Sequence, residues 1–231
     1  MEKIRNNPKY AKFFGDRTPT EEKCLEYILK NATKNDPVSL FKTIDNFCKE
    51  EKNWLMNIGP EKGALVDKII KDKAPKTFLE LGTYIGYSAV RFSQFLQEGG
   101  TYVTIDVNPS TTEKAKKISE HAGITNIDFR LNGLQGNLEN LKKSFPSGFD
   151  IVFLDHVKSL YVSDLNILEK AGLVRKGTMI ISDNLLIPGC PEMFEYMKDN
   201  AHYTTQYYDS VVEYTDIKDT FGVSLCVKGF K

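Results

Sequence analysis

Two short stretches carry side chains able to do chemistry together. Asp155-His156-Val157-Lys158 ends the apolar run Ile151-Val152-Phe153-Leu154, and Asp183-Asn184 ends the run Ile180-Ile181-Ser182. Asp155, Asp183 and Asn184 offer hard oxygen donors, with no thiolate or paired histidine nearby to favour zinc, and that donor set suits magnesium. Two carboxylates and an amide leave part of an octahedron of ~6 oxygens for water and a chelating substrate. Lys158 follows Asp155 by about one helical turn. Beside a dication a lysine gives up its proton more readily than in water, so it can then take one from a substrate hydroxyl. A single DxxK is common on solvated surfaces, and it is the pairing with the second acidic ending that gives it weight.

Residues at such endings are positioned by the strands before them. Apolar runs at Thr77 to Leu81, Thr101 to Ile105, Ile127 to Leu131, Ile151 to Leu154 and Thr178 to Ile181 alternate with helical stretches, the pattern of a parallel sheet with crossover helices. Continuous runs such as IVFL and TMII suit strands covered on both faces. The expected fold is α/β, a Rossmann-like, doubly wound, mostly parallel sheet. Tyr203 to Tyr208 and the run from Gly222 read as further strands pairing antiparallel at one edge. Added N-terminal helices are expected from Thr18 to Asn31, from Asp36 to about Glu51 with Pro37 just inside its start, and from Pro60 onward. Ligands of open parallel sheets sit outside the carboxyl ends of the strands, where these polar residues fall.

The first strand ends in Leu79-Glu80-Leu81-Gly82-Thr83-Tyr84-Ile85-Gly86-Tyr87-Ser88, a glycine turn leading into a helix. Gly82 and Gly86 let backbone approach a ligand, and free N–H groups at the helix start suit a negative group such as an amino-acid carboxylate. The spacing is not GxGxxG, which weakens a dinucleotide reading. Asp106 ends the next strand, where an acid that binds ribose hydroxyls belongs; a turn-forming Asp is the plain alternative.

The 231 residues are read as one unit: residues 1–15 as a polar, mobile tail and residues 16–231 as a single domain. Lys plus Arg number 31 and Asp plus Glu number 31, so the net charge is +0, which argues against a nucleic-acid partner. No apolar run approaches the ~20 residues that span a bilayer, and the N-terminus lacks a secretory core, so no membrane association and a cytoplasmic location are expected. Cys24, Cys48, Cys190 and Cys226 form no CxxC or Cys/His cluster and read as buried free thiols.

Taken in order and spacing, NWLMNIGPEKG, LELGTYIGYSAVR, VFLDHVK, GLVRKGT and SDNLLIPG resemble the catechol O-methyltransferase family over nearly the whole chain after the tail. The resemblance implies a class I methyltransferase domain and a monomeric enzyme that moves the methyl of S-adenosylmethionine to one hydroxyl of a magnesium-bound catechol by direct displacement. It implies Asp155, Asp183 and Asn184 as metal ligands, Lys158 as general base and Glu213 as a contact to a substrate hydroxyl. Gly82, Tyr84 and Ser88 match positions around the methionine part of the cofactor, Asp106 the ribose acid, and His156 a neighbour of the adenine, with Asp155 beside the cofactor as well. Met56 and Ile58 match a flap over the sulfonium, for which core packing is the plain alternative. Trp54 and Pro188 match walls that grip the substrate ring. The chain departs from the family at two places: Val157 stands where the animal enzymes have a tryptophan beside the adenine and the substrate, and Gln135-Gly136 replaces a Ser-Gln pair near the adenine edge.

Other classes stay open at the level of sequence. A caffeoyl-coenzyme-A-type methyltransferase acting on another vicinal diol would need a basic cluster for its anionic carrier, and none is evident. A nicotinamide enzyme is disfavoured by the glycine turn, and a non-catalytic binding protein of the same fold by retention of the metal set and Lys158.

Overall fold

The computed structural model describes residues 18–50 and 53–230; the tail expected over residues 1–15 lies outside them. In chain order the elements are α1 (Thr18–Asn31), α2 (Pro37–Cys48), α3 (Pro60–Lys73), β1 (Thr77–Leu81), α4 (Tyr87–Ser93), β2 (Thr101–Ile105), α5 (Pro109–Ala122), β3 (Ile127–Arg130), α6 (Gly133–Ser144), β4 (Ile151–Leu154), α7 (Tyr161–Lys170), β5 (Met179–Ser182), α8 (Pro191–Met197), β6 (Tyr203–Val211) and β7 (Lys218–Cys226). They build one seven-stranded sheet in the order β3-β2-β1-β4-β5-β7-β6. The first five strands are parallel, and β7 pairs antiparallel with both β5 and β6. The doubly wound sheet and its antiparallel edge are therefore as expected from the sequence. Among the described residues no helix is long and apolar enough to cross a membrane.

Period-two alternation sends the strand side chains to two separate cores. Phe78, Ile151 and Phe153 join Tyr102, Phe92 and residues of α1, α2 and α3 on one face, whereas Leu79, Val152 and Leu154 join Leu141, Leu165 and Met193 on the other. Phe78 stacks on Tyr102 with centroids 4.4 Å apart, and Phe92 meets Phe153 edge-on at 5.6 Å. All four cysteines are free and buried, as expected.

Some element boundaries differ from the sequence expectation. α2 begins at Pro37, with Asp36 as its cap accepting from Ser39 N at 3.0 Å, but it ends at Cys48. Lys49 and Glu50 follow, neither with an apolar side chain to bury, and Glu51, the expected end, lies outside the described residues. β3 stops at Arg130 rather than Leu131, and β5 is shifted by one residue. Thr178 is instead held by the preceding turn, its N–H on Arg175 O and its hydroxyl on Phe149 O.

One buried polar residue in β1 was not singled out by the sequence reading. Glu80 is 0% exposed and accepts hydrogen bonds from the hydroxyls of Ser88 and Thr104. Burial pushes its carboxyl up to about 8, against the two hydroxyls, which favour the charged form. A carboxyl whose folded pKa is raised holds more protons folded than unfolded, so native stability falls as pH rises from ~4.3 towards about 8. For one proton the slope is at most ~1.4 kcal/mol per pH unit. Denaturant midpoints measured from pH 5 to 8 should therefore fall less steeply for Glu80→Gln than for the parent; an unchanged slope would count against a protonated Glu80.

Candidate active site

The strand order reverses between β1 and β4, and the crevice outside the carboxyl ends at such a switch point is where open α/β sheets place ligands. Gly82, Asp106, Asp155 and Asp183 directly follow β1, β2, β4 and β5. Because β6 runs antiparallel to β7, Glu213 after β6 and Asp219 near the start of β7 come to the same end of the sheet.

The glycine turn is fitted against the end of β4. Gly82 has φ +104, and a Cβ there would collide with the carbonyl of Asp155, so the close approach of the two strand ends requires glycine. Tyr84 also lies in the left-handed region, at φ 48. Asp106 fastens this turn: one carboxylate oxygen accepts from Thr83 N and Tyr84 N, both at 2.9 Å, and the other from Val107 N and Asn108 N at 2.7 and 2.9 Å. The turn-forming role of Asp106 is thus visible in the structure. Ser88, at the start of α4, spends its hydroxyl on Glu80. Gln135 and Gly136 are exposed in the first turn of α6.

The Nε2–H of His156 donates to Asp164 Oδ2 at 3.0 Å, and the ring stacks on Tyr161 with centroids 5.1 Å apart. Its Nδ1 is buried with no hydrogen-bond partner among the described residues. A buried ring nitrogen left unpaired is costly unless a ligand group reaches it.

Around the acidic endings the chain brings together more charge than the sequence reading assembled. Lys158 Nζ donates to Asp155 Oδ1 at 3.1 Å and to Tyr161 OH at 2.6 Å, and Tyr161 OH donates to the carbonyl of Asp183 at 3.2 Å. Burial raises the Asp155 carboxyl in spite of Lys158, and neighbouring Asp183 raises it further. Asp183 Oδ1 accepts from the buried Lys62 ammonium at 2.6 Å, and Lys62 also reaches Asp219 Oδ2 at 2.8 Å. Desolvation works against the Lys62 charge, but the two carboxylates more than offset it and the net shift is upward. Asn184, in the left-handed region at φ 54, donates its amide NH2 to Asp219 Oδ2 at 3.0 Å. Lys62, Asp219 and Tyr161 were missed from sequence, because each acts from another element. No group of three or more His, Cys, Asp or Glu among the described residues is arranged for a metal; the donors gathered here are two carboxylates and an amide.

The remaining residues of the expected site divide by burial. Trp54 is 4% exposed, and its indole N–H donates to the backbone carbonyl of Glu213 at 3.1 Å. Ile58 packs into the core, the alternative to a place in the flap, because its side chain is only 2% exposed, whereas Met56 is 49% exposed. Val157 is 61% exposed, and Pro188 is exposed as well. Glu213 is buried, and burial pushes its carboxyl up to about 8 although Lys62 opposes the shift. Near neutral pH it can therefore donate or accept a hydrogen bond. A cleft of about 460 Å³ is lined by Glu61, Lys62, Leu186, Asp209 and Asp219, and so meets the charged network from the Lys62 side.

Residues 31–216 match a sequence family described as O-methyltransferase. The catechol O-methyltransferase of Bos taurus is 36% identical over 201 residues, covering 86% of this chain and 74% of the relative. Catechol O-methyltransferase B of Danio rerio is 36% identical over 205 residues, covering 88% and 77%. Among solved structures, the O-methyltransferase TomG from Streptomyces achromogenes, in complex with SAM, superposes with a TM-score of 0.71 at 19% identity and covers 94% of this chain and 100% of its own. At that identity the superposition speaks for the fold, and the family match with its 36% identical relatives speaks for the class: this chain is a methyltransferase belonging to the O-methyltransferase family.

Proposed function

We propose that this enzyme transfers the methyl group of S-adenosylmethionine to one hydroxyl of a catechol held at a magnesium site, acting as a cytoplasmic monomer. The observation that carries this reading is the convergence of Asp155, Lys158, Asp183 and Asn184 at the ends of β4 and β5. The donors are hard oxygens, and the upward shift of the Asp155 carboxyl marks a buried acid that a cation would return to its charged form. Asp155, Asp183 and Asn184 would hold the ion, leaving positions for two vicinal oxygens. When bound, magnesium supplies Lewis acidity that favours ionisation of a coordinated hydroxyl.

The chain's own residues do the rest. Lys158, held between Asp155 and the Tyr161 hydroxyl, stands where a neutral amine can take the proton of the reacting hydroxyl. Glu213, with a carboxyl near pKa 8, hydrogen-bonds the second hydroxyl. The turn from Gly82 through Tyr84 to Ser88, with Asp106 beneath it, receives the methionine and ribose parts of the cofactor. The unpaired Nδ1 of His156, with the exposed Gln135-Gly136 turn, faces the adenine. S-adenosylmethionine brings the methyl on a sulfonium, and orienting both reactants ~3–3.5 Å apart and in line supplies several kcal/mol of the barrier. The Met56 segment would exclude water from the donor and acceptor, which strengthens the electrostatic interactions between them. The bovine and zebrafish relatives, named for catechol, favour this acceptor over the carrier-bound diols of caffeoyl-coenzyme-A enzymes.

Methyl transfer to a simple catechol, followed by chromatography, should vanish in chelator and return with magnesium; full turnover in chelator would end the metal reading. Lys158→Met should lower kcat by about 10² or more, the usual loss for a positioned base, and leave S-adenosylmethionine affinity by calorimetry near the parent value.

A second outcome follows from the exposed Val157. An aromatic side chain at such a wall can bury ~150–250 Å², and valine leaves that surface open. Val157→Trp should lower KM for a small catechol and sharpen the ratio of the two monomethyl products. If the folded variant changes neither, Val157 does not line the acceptor pocket.

A further inference from the structure

Asp219 sits at the start of β7, 35 residues after Asn184 and 157 after Lys62, yet its carboxylate joins them. Its Oδ2 accepts from Lys62 Nζ at 2.8 Å and Asn184 Nδ2 at 3.0 Å, and its Oδ1 from Leu186 N at 3.2 Å and Ile187 N at 3.1 Å. The side chains of Lys62, Asp183 and Asp219 are 1%, 3% and 0% exposed. An ionised carboxylate only accepts, so the end of the Asn184 amide that faces Asp219 has to be its NH2. The carbonyl oxygen, the one atom of that amide able to bind a cation, is thereby the end turned away from Asp219. Asp183 is constrained in parallel: its Oδ1 receives both Lys62 Nζ at 2.6 Å and Asn184 N at 2.7 Å, which leaves Oδ2.

We infer that Asp219, with Lys62 as its buried counter-ion, is a positioning residue that orients the Asn184 amide for cation binding and restricts Asp183 to one ligating oxygen. The inference rests on the metal reading given above. Magnesium tolerates little departure from octahedral geometry, so an amide free to flip would present NH2 to the ion part of the time. Lys62 makes the arrangement affordable in charge, since an unpaired carboxylate at 0% exposure would be driven to take up a proton. Partners that orient metal ligands typically contribute 10–100-fold in metal affinity.

The test uses the full chain and Mn2+ as probe, with bound and free ion separated by electron paramagnetic resonance and Mg2+ as competitor. Asp219→Asn puts an NH2 against donors whichever way its amide turns, and Asp219→Glu keeps the charge but lengthens the reach. Both should weaken Mn2+ by about 10–100-fold and leave S-adenosylmethionine affinity, measured by calorimetry without metal, within about twofold of the parent. Asp209→Asn, which removes the same charge from the exposed wall of the neighbouring cleft, should leave Mn2+ affinity within about twofold. The inference is overturned if either folded Asp219 variant binds Mn2+ like the parent, or if Asp209→Asn weakens it equally. Loss of fold and cofactor binding in both Asp219 variants would also overturn it, by making Asp219 a structural residue. A parent that binds no Mn2+ sinks the metal reading itself, an outcome distinct from a parent that binds with variants that bind as well.

Discussion

The ammonium of Lys62, carried on α3 and removed from water between Asp183 and Asp219, is the interaction on which the geometry of the acidic end depends. Burying an ion costs several kcal/mol unless it is paired and hydrogen-bonded, and the two carboxylates offset that cost where α3 meets the end of the sheet. In return the ion pair fixes the end of β5 relative to β7 and to the Leu185–Gly189 turn, whose N–H groups land on Asp219. The ammonium also offsets part of the negative charge that Asp155, Asp183 and Asp219 would otherwise concentrate.

The opposite wall is held by a different device. There the backbone does the fitting, with Gly82 pressed against the Asp155 carbonyl and the turn's N–H groups collected by Asp106. Glu80 lies beneath, tied to Ser88 and Thr104. The two walls meet at Asp155, whose carbonyl packs on the glycine turn while its carboxylate faces Lys158. Rigid strands thus carry both walls, whereas Met56, Val157 and Pro188 are exposed outside them.

Much of this was legible in the sequence. Apolar runs of four or five residues between amphipathic helices can only be strands covered on both faces, and such strands line up in parallel, so the doubly wound sheet followed from local pattern. Polar residues at the ends of those runs had to gather at one edge, and Asp155, Lys158, Asp183 and Asn184 do come together there. The ends of α2, β3 and β5 were set by where burial stops and by a turn at Thr178, which periodicity alone does not report.

What only the tertiary structure decided is which groups face one another across elements. Lys62 follows a proline and a glutamate in an ordinary helical stretch, and Asp219 lies in a charged loop-to-strand passage; each reads as solvated surface. Their pairing depends on β7 inserting beside β5 and on α3 packing under the same sheet end, distances of 121 and 157 residues along the chain. The unpaired Nδ1 of His156 and the commitment of Asp106 to its own turn are likewise properties of the folded chain. Local sequence determines periodicity, caps and strand ends because those arise from neighbours within a few residues. Charge pairing in a buried site is decided by topology, because the low dielectric that makes each ion need a partner exists only once the chain has closed around it.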